Sequence, residues 1–142
     1  LAEVLDLIIP KLSFLSIGTN DLTQFLFAAD RANPKLAERY DWLSPSILRF
    51  IRRVVNTVEG HQVDVTVCGE MGGRRLEALA LMGIGIRRLS ITPAAVGPLK
   101  ELIRKVDLDD IGRTMQVWLA NPPPSMRAAL EQWAAERDID VD

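Results

Sequence analysis

Two short polar segments, each directly after an apolar run, carry residue types that could do chemistry. The first, Gly18-Thr19-Asn20-Asp21, offers an amide and a carboxylate; the second, Cys68-Gly69-Glu70-Met71-Gly72-Gly73, offers a thiol, a carboxylate and three glycines. A carboxylate is a hard oxygen ligand of the kind Mg²⁺ binds, usually one or two per ion together with water and substrate oxygens. A thiol at the end of a strand can exchange a proton with a substrate. One interpretation is therefore a site that binds a cation and moves a proton.

Each segment also has a purely structural interpretation. Asn20 or Asp21 could cap the helix that follows, because Asn and Asp are common N-cap residues. Cys68 could be a small buried hydrophobic residue, which is the commoner fate of a free cysteine. The glycines could supply unusual backbone angles or a close approach to an anion, and a loose glycine cluster does not separate the two. The residues alone leave these alternatives open.

The composition of the chain limits the kinds of protein that it could be. The chain has 142 residues, of which 48% are hydrophobic and 25% charged, as expected for one soluble globular domain. Seventeen basic residues against nineteen acidic ones give a net charge of -2, so we expect no nucleic-acid partner. We also expect no membrane segment and no signal peptide. The single cysteine, Cys68, indicates a cytoplasmic location, and the start at Leu1 suggests a fragment of a longer protein.

Three strands alternate with helices along the chain. Strands are predicted at 14–18, 63–68 and 88–91 from short apolar or alternating patterns. Further helices are predicted at 74–82, 94–105, 108–119 and 125–136, with a proline-rich break before the last.

The strongest helix signal lies between the first two strands. Ser44 is a good N-cap, Pro45 suits the first turn, and apolar residues from Ile47 to Val58 recur at helical spacing. The opposite face carries Arg49, Arg52, Arg53 and Glu59, and there we expect a solvated charged stripe.

Alternation of strand and helix predicts an α/β fold with parallel strands and right-handed crossovers. The carboxyl ends of parallel strands share one edge of a sheet, so both polar segments should meet at the same rim. Three strands are too few for a complete barrel.

Four segments carry a family resemblance. SIGTNDLTQF, AADRANP, LSPSIL and VCGEMGG occur in this order. In this order and spacing they resemble the C-terminal barrel of enzyme I, the phosphoenolpyruvate-protein phosphotransferase of the bacterial phosphotransferase system. The stretch FLFAADRANPKLAERYDWLSPSILR is closer to the nitrogen-related branch than to the sugar branch. Pyruvate phosphate dikinase and phosphoenolpyruvate synthase share the GTNDLTQ and Cys-Gly-Glu patterns, and LSPSIL favours enzyme I over these alternatives.

The resemblance implies a fold and a set of partners. Residues 1–142 would form about the last three βα units of a TIM (β/α)8 barrel, within a longer multidomain protein. The barrel would bind phosphoenolpyruvate and Mg²⁺. The phosphoryl group would pass to a histidine on a separate domain and then to a small histidine phosphocarrier protein, leaving pyruvate.

The resemblance also implies residue roles. Asp21 would be the metal ligand, and Asn20 and Arg31 would contact the substrate, with the planar Arg31 guanidinium gripping the transferring phosphate. Cys68 would protonate carbon 3 of enolpyruvate. Gly69 and Glu70 would shape and hydrogen-bond its surroundings.

Other catalytic parts are expected outside these residues. The only histidine, His61, precedes the second strand and should lie at the opposite edge of the sheet, away from the chemistry. We therefore expect this piece alone not to complete phosphotransfer. Its open sheet edges predict self-association, and the family also dimerises through this barrel. A second hypothesis is a non-catalytic binding or dimerisation module of the same fold.

Overall fold

Parallel strands form the centre of the chain. The computed structural model describes residues 2–30, 33, 36 and 40–142. Its strands are β1 (Phe14–Gly18), β2 (Asp64–Cys68) and β3 (Arg88–Ser90), which pair in parallel in the order β1-β2-β3. The predicted α/β class and parallel pairing are confirmed. The predicted strands at 63–68 and 88–91 are each one residue shorter than expected.

Helices precede, connect and follow the strands. The helices predicted after the second strand are each found to within one residue at either end. None of those in the described residues is long and apolar enough to cross a membrane. Short 3-10 turns occupy Ala2–Val4, Ile9–Lys11 and Glu70–Gly73. The α-helices of the described residues are α1 (Leu5–Ile8), α2 (Thr19–Phe27), α3 (Pro45–Val58), α4 (Arg75–Gly83), α5 (Pro93–Lys105), α6 (Leu108–Ala120) and α7 (Met126–Ala135).

The two faces of the sheet differ in composition and in exposure. Ile17 and Val67 point to one face and are buried in the core that the helices cover. Side chains alternate along a strand, so Ser16 and its neighbours in register point to the other face. There Ser16 is exposed, and an Arg88–Asp64 ion pair of 2.7 Å between nitrogen and oxygen bridges β3 and β2. The second face is therefore open within the described residues, and it carries polar and charged side chains together with exposed Phe14 at the start of β1.

Helix α4 is the centre of the helical layer. Every residue from Leu76 to Gly83 is buried, because α5, α6 and α7 all contact this helix. One of these residues, Glu77, is charged, and the guanidinium of Arg127 in α7 lies 2.8 Å from its carboxylate. The C-terminal helices thus complete the surroundings of α4.

Helix α3 begins as predicted, but its basic face does more than contact water. The Ser44 side chain accepts a hydrogen bond from the Ser46 amide at 3.4 Å, which confirms the predicted N-cap. Arg49 donates to the carbonyl of Leu119 at 2.7 Å, and Arg52 donates to that of Ile84 at 3.0 Å. These carbonyls lie at the ends of α6 and α4, where helix geometry leaves acceptors unpaired. Arg49 is thus exposed, as predicted, whereas Arg52 is half-buried, and both also bind helix-end carbonyls that the sequence did not predict.

Candidate functional site

The two polar segments meet at the carboxyl edge of the sheet. Gly18 and Cys68 end β1 and β2 and lie opposite each other in register. Thr19, fully buried at the start of α2, donates its hydroxyl to the carbonyl of Cys68 at 3.1 Å. This hydrogen bond joins one segment directly to the other. The predicted meeting of the two segments at one rim is confirmed.

Gly69 allows this close approach. Its φ is +109°, in a region that residues with a side chain rarely adopt. A Cβ built there would lie 2.7 Å from the Thr19 hydroxyl oxygen and 3.7 Å from Cγ of Asn20. Both the backbone and the space at this position therefore require glycine.

Asn20 and Asp21 lie inside the first turn of α2 and do not cap it. The helix begins at Thr19, with Gly18 at the N-cap and no side-chain cap hydrogen bond. The capping interpretation of these two residues is therefore wrong, because the helix starts before either of them. A carboxylate in the first turn still interacts favourably with the helix dipole.

The side chains of these two residues differ in exposure. Oδ1 of Asn20 is buried and has no hydrogen-bond partner among the described residues. Asp21 is exposed. A buried polar oxygen without a donor is costly, and such an atom in a native site calls for a partner from outside the chain. The rim therefore offers one unsatisfied amide oxygen and one accessible carboxylate.

Cys68 is half-buried at the end of the central strand. Its sulfur accepts a hydrogen bond from the hydroxyl of Ser16, with 3.5 Å between Oγ and Sγ. The thiol is therefore neither a fully buried hydrophobic group nor isolated in solvent. This agrees with the rim interpretation of Cys68.

Sequence reasoning did not find Ser16 or Thr19 as site residues. Ser16 lies two residues before Gly18, so strand alternation alone places it on the same face as Cys68 once parallel pairing is assumed. Thr19 directly precedes Asn20, but its contact with Cys68 depends on a helix that starts at the strand end. Ser16 could have been found from its spacing in the sequence, whereas the role of Thr19 could be found only from the structure.

Glu70 and the residues after it lead from Cys68 to α4. Glu70 is exposed and opens the Glu70–Gly73 turn, which buried Met71 anchors to the core. Arg74, next in the chain, has its guanidinium carbon 5.1 Å from the ring centre of Trp42. Arg31, predicted to contact substrate, lies outside the described residues.

The described rim can be compared with what a metal ion requires. Among residues 2–30, 33, 36 and 40–142, no group of three or more His, Cys, Asp and Glu side chains could hold a metal ion. Mg²⁺ commonly takes only one or two protein carboxylates and completes its shell with water and substrate oxygens. Asp21, beside the unsatisfied oxygen of Asn20, fits such a partial ligand set. His61 lies in the exposed turn before β2, at the other edge of the sheet.

Comparisons with known proteins identify relatives. A chain of 44% identity over 101 residues is the phosphoenolpyruvate-protein phosphotransferase of Borreliella burgdorferi, matching 71% of this chain and 18% of that protein. The phosphoenolpyruvate-dependent phosphotransferase system protein of Salmonella typhimurium is 40% identical over 100 residues, covering 70% and 13%. The phosphoenolpyruvate-protein phosphotransferase of Buchnera aphidicola is 33% identical over 121 residues, covering 85% and 21%.

The chain spans about a fifth or less of the length of these relatives. A family model described as "PEP-utilising enzyme, PEP-binding domain" matches residues 1–108, which include both rim segments and all three strands. The resemblance noted in the sequence is thereby confirmed at the level of the family. The chain belongs to the family of PEP-binding domains of PEP-utilising enzymes.

Proposed function

We propose that this chain is the phosphoenolpyruvate-binding part of a phosphoenolpyruvate-protein phosphotransferase of the enzyme I type. The observation that carries the proposal is the joining of the Asn20–Asp21 and Cys68–Glu70 segments at one rim, through the Thr19 hydrogen bond to Cys68. An amide, a carboxylate and a thiol then lie in segments that meet at the carboxyl edge of the sheet. The family match and the names of the relatives agree with this substrate and activity.

The sheet is proposed as about three βα units of a TIM (β/α)8 barrel, and residues 1–142 as a part of a longer multidomain chain. Parallel strands in sequential order support this, since each step around such a barrel adds one strand beside the last. The open face of the sheet supports it too, because a barrel would enclose that face. The short coverage of the relatives agrees with a longer protein.

Each residue at the rim would have a separate role in the reaction. Asp21 would hold Mg²⁺, and Asn20 would direct its unsatisfied oxygen or, with the amide turned, its NH₂ group at metal or substrate. Mg²⁺ supplies Lewis-acid stabilisation of the charge that develops on the enolate and phosphoryl oxygens. Arg31 would bind the phosphate in a bidentate manner. Gly69 and Glu70 would shape the substrate's surroundings.

Cys68 would act on carbon 3 of the substrate. Loss of the phosphoryl group leaves an enolate, and the thiol would donate its proton to carbon 3 to give pyruvate. In the reverse direction the thiolate would remove that proton. The half-buried sulfur at the strand end is suited to this because it is held by backbone and by Ser16 while one side stays open.

Other partners would accept the phosphoryl group. We propose a histidine on a separate domain as the first acceptor and a small histidine phosphocarrier protein as the second. Cytoplasmic location, a homodimer and the nitrogen-related branch remain predictions from the sequence.

Phosphate transfer tests the proposed function. The full-length protein should move ³²P from phosphoenolpyruvate to a histidine phosphocarrier in a Mg²⁺-dependent manner, and Asp21→Ala should reduce the rate at least about a hundredfold. Asp109→Ala is the matched control, because Asp109 is an exposed first-turn carboxylate of α6. Residues 1–142 alone should transfer none. Equal rates for Asp21→Ala and the control would contradict the proposal.

A non-catalytic association module is the second candidate. Two large apolar side chains, Phe14 in β1 and Phe25 in α2, are 67% and 86% exposed, which favours contact with another protein. This candidate requires that Asp21→Ala and Arg31→Ala leave every property of the full-length protein unchanged. Loss of Mg²⁺-dependent phosphoenolpyruvate binding in either variant, measured by calorimetry, would reject it.

A further inference from the structure

A groove between α3 and the end of α6 is lined mainly by cationic and polar side chains. It has a volume of about 380 Å³, which lies within the range of sites for small molecules. The last turn of α3 leads to the amino end of β2, and this turn forms part of the groove. The groove is therefore on the side of the fold away from the carboxyl edge of the sheet. Its lining residues are Arg49, Arg52, Arg53, Asn56, Thr57 and Leu119.

Little negative charge balances the arginines of this groove. Helix α3 contains all three of them and no acidic residue. Within the described residues, the one carboxylate that forms an ion pair with them is that of Glu3, which pairs with Arg53; these two side chains are 80% and 55% exposed. Exposed ion pairs are weak because solvent and salt screen them. The groove thus keeps a concentrated positive charge in a chain whose net charge is -2.

Backbone carbonyls hold two of the guanidiniums in place. Arg49 donates two hydrogen bonds to carbonyls at the end of α6, one of them to Leu119 at 2.7 Å. Arg52 donates to the carbonyl of Ile84 at 3.0 Å. The next residue, Gly85, has a φ of +97°, and a Cβ there would lie 2.9 Å from Nη1 of Arg52. The turn between α4 and β3 therefore leaves the space that Arg52 occupies.

These contacts orient the guanidiniums without neutralising them. A carbonyl oxygen carries only a partial charge, and each guanidinium has more N–H donors than these hydrogen bonds use. Arg49, Arg52 and Arg53 stand at positions i, i+3 and i+4 of one helix, where like charges repel one another. An anion bound between them would remove that repulsion.

A phosphate group matches these donors. Its oxygens accept paired hydrogen bonds from a planar guanidinium, and a tetrahedral group can reach more than one arginine at once. We propose that Arg49, Arg52 and Arg53 form a binding site for the phosphate groups of a small soluble molecule. Exposed Asn56 adds an amide at the same groove. This site goes beyond the function proposed for the rim and does not depend on it.

Binding of inorganic pyrophosphate tests the site. Calorimetry on the full-length protein without Mg²⁺ should detect binding, and Arg53→Met should weaken it at least about tenfold, because a charge-assisted contact is lost. Arg104→Met is the matched control, since it removes the same charge from an exposed arginine in the last turn of α5. The control should leave the Kd unchanged. Asn56→Asp keeps all three arginines but adds a carboxylate to the groove, so it should also weaken binding.

Three results of the calorimetry would overturn the proposal. One is the absence of pyrophosphate binding by the wild-type protein. Another is wild-type affinity in either Arg53→Met or Asn56→Asp, and the third is an equal loss in Arg53→Met and Arg104→Met, which would indicate a general effect of net charge.

Two further probes distinguish other anionic partners. Tighter binding of a peptide of Asp and Glu than of pyrophosphate would identify the groove as a contact for an acidic protein segment. Sedimentation with phosphatidic acid vesicles that pyrophosphate does not reverse would indicate a lipid headgroup. Either result would overturn the assignment to a small soluble molecule, which predicts that pyrophosphate binds more tightly than the peptide and that the protein does not sediment with the vesicles.

Discussion

At the scale of single residues, the rim depends on one glycine and one threonine. Thr19 is buried and its hydroxyl reaches the carbonyl of Cys68, so the backbone of the Cys68 turn is fixed against the start of α2. Gly69 leaves the space that the hydroxyl occupies. Any side chain at position 69 would push these segments apart. The approach of Asn20 to the Cys68 turn therefore depends on the absence of a Cβ.

Replacement of Gly69 by alanine should destabilise the protein by about 1–3 kcal/mol, since alanine is strained at a φ of +109°. The clash with Thr19 would add to this cost and displace the turn. Urea unfolding measures the free energy. Gly112→Ala, in the interior of α6, is the control and should stabilise the protein by about 0.5–1 kcal/mol because alanine favours a helix. A Gly69→Ala protein as stable as the wild type would contradict the contact.

At the scale of secondary-structure elements, one arginine of α7 forms ion pairs with α4 and with the segment before α3. Arg127 lies 2.8 Å from the buried carboxylate of Glu77 in α4 and 3.1 Å from that of Asp41, just before α3. Burial lowers the pKa of Arg127, whereas the hydrogen bond that Arg127 donates to the Glu77 carboxylate raises it, and the net direction is upward. Arg127 lies beyond the residues that the family model matches, whereas Glu77 lies within them. Helix α7 thus neutralises a buried charge that lies within the segment matched by the family model.

Arg127→Met should destabilise the protein by about 2–4 kcal/mol, because it leaves the Glu77 carboxylate buried without its counter-ion. The double variant Arg127→Met, Glu77→Gln should recover part of this loss, since neither charge then remains buried. Arg113→Met removes an exposed i,i+3 ion pair and should cost at most about 0.5 kcal/mol. Chemical unfolding at neutral pH compares the three. A double variant no more stable than Arg127→Met would exclude the buried charge as the cause.

The N-terminus of α6 makes stability depend on pH. Amides of Asp110 and Asp109 donate to the Asp107 carboxylate and lower its pKa below the ordinary value of 3.8. A carboxylate with a lowered pKa contributes stability above 3.8, and that contribution is lost as the pH falls through its value in the folded protein. Asparagine at this position can cap the helix but does not titrate.

Asp107→Asn should therefore be less stable than the wild type at pH 6, and the difference should shrink as the pH is lowered below 4. Urea midpoints at a series of pH values check this. A difference that stays constant across the series would show that the charge of Asp107 does not contribute.

Local signals explain what the sequence predicted among these elements. Ser44, Asp107 and Ser125 each accept amide hydrogen bonds within three residues, so capping chemistry alone locates the starts of α3, α6 and α7. Partners distant in sequence could not be predicted this way. Arg49 bonds to Leu119, 70 residues away, and Arg127 to Glu77, 50 residues away. Periodicity identifies the face of a helix but not the carbonyl or carboxylate that packs against it.

The sequence likewise predicted some features of the candidate site and not others. Parallel pairing predicted that Asp21 and Cys68 share a rim, because alternating strands and helices leave few other topologies. The start of α2 at Thr19 was not predicted, since Asn and Asp are better N-caps than Gly18. The strand end places Gly18 at the cap, and this tertiary constraint outweighs the local preference.

At the scale of the whole molecule, the described sheet is open at both edges. Within the described residues β1 and β3 each pair on one side only, and Phe14 in β1 and Phe25 in α2 are exposed. Unpaired strand edges and exposed aromatic side chains favour association.

Residues 1–142 alone should therefore self-associate. Light scattering at increasing concentration should detect dimers or larger species, and Phe25→Ser should weaken them more than Ser13→Ala, an exposed polar control before β1. A monodisperse monomer at high concentration would contradict this expectation.

Separation of binding from proton transfer tests the central claim most directly. The measurement is deuterium uptake at carbon 3 of phosphoenolpyruvate, followed by ¹H NMR in D₂O at equilibrium with pyruvate, in the full-length protein with Mg²⁺. Cys68→Ala should abolish uptake while phosphoenolpyruvate still binds in calorimetry, and Asp21→Ala should lose both uptake and Mg²⁺-dependent binding. Uptake that persists in Cys68→Ala, or Mg²⁺-dependent binding that persists in Asp21→Ala, would contradict the assignment of this rim as the phosphoenolpyruvate site.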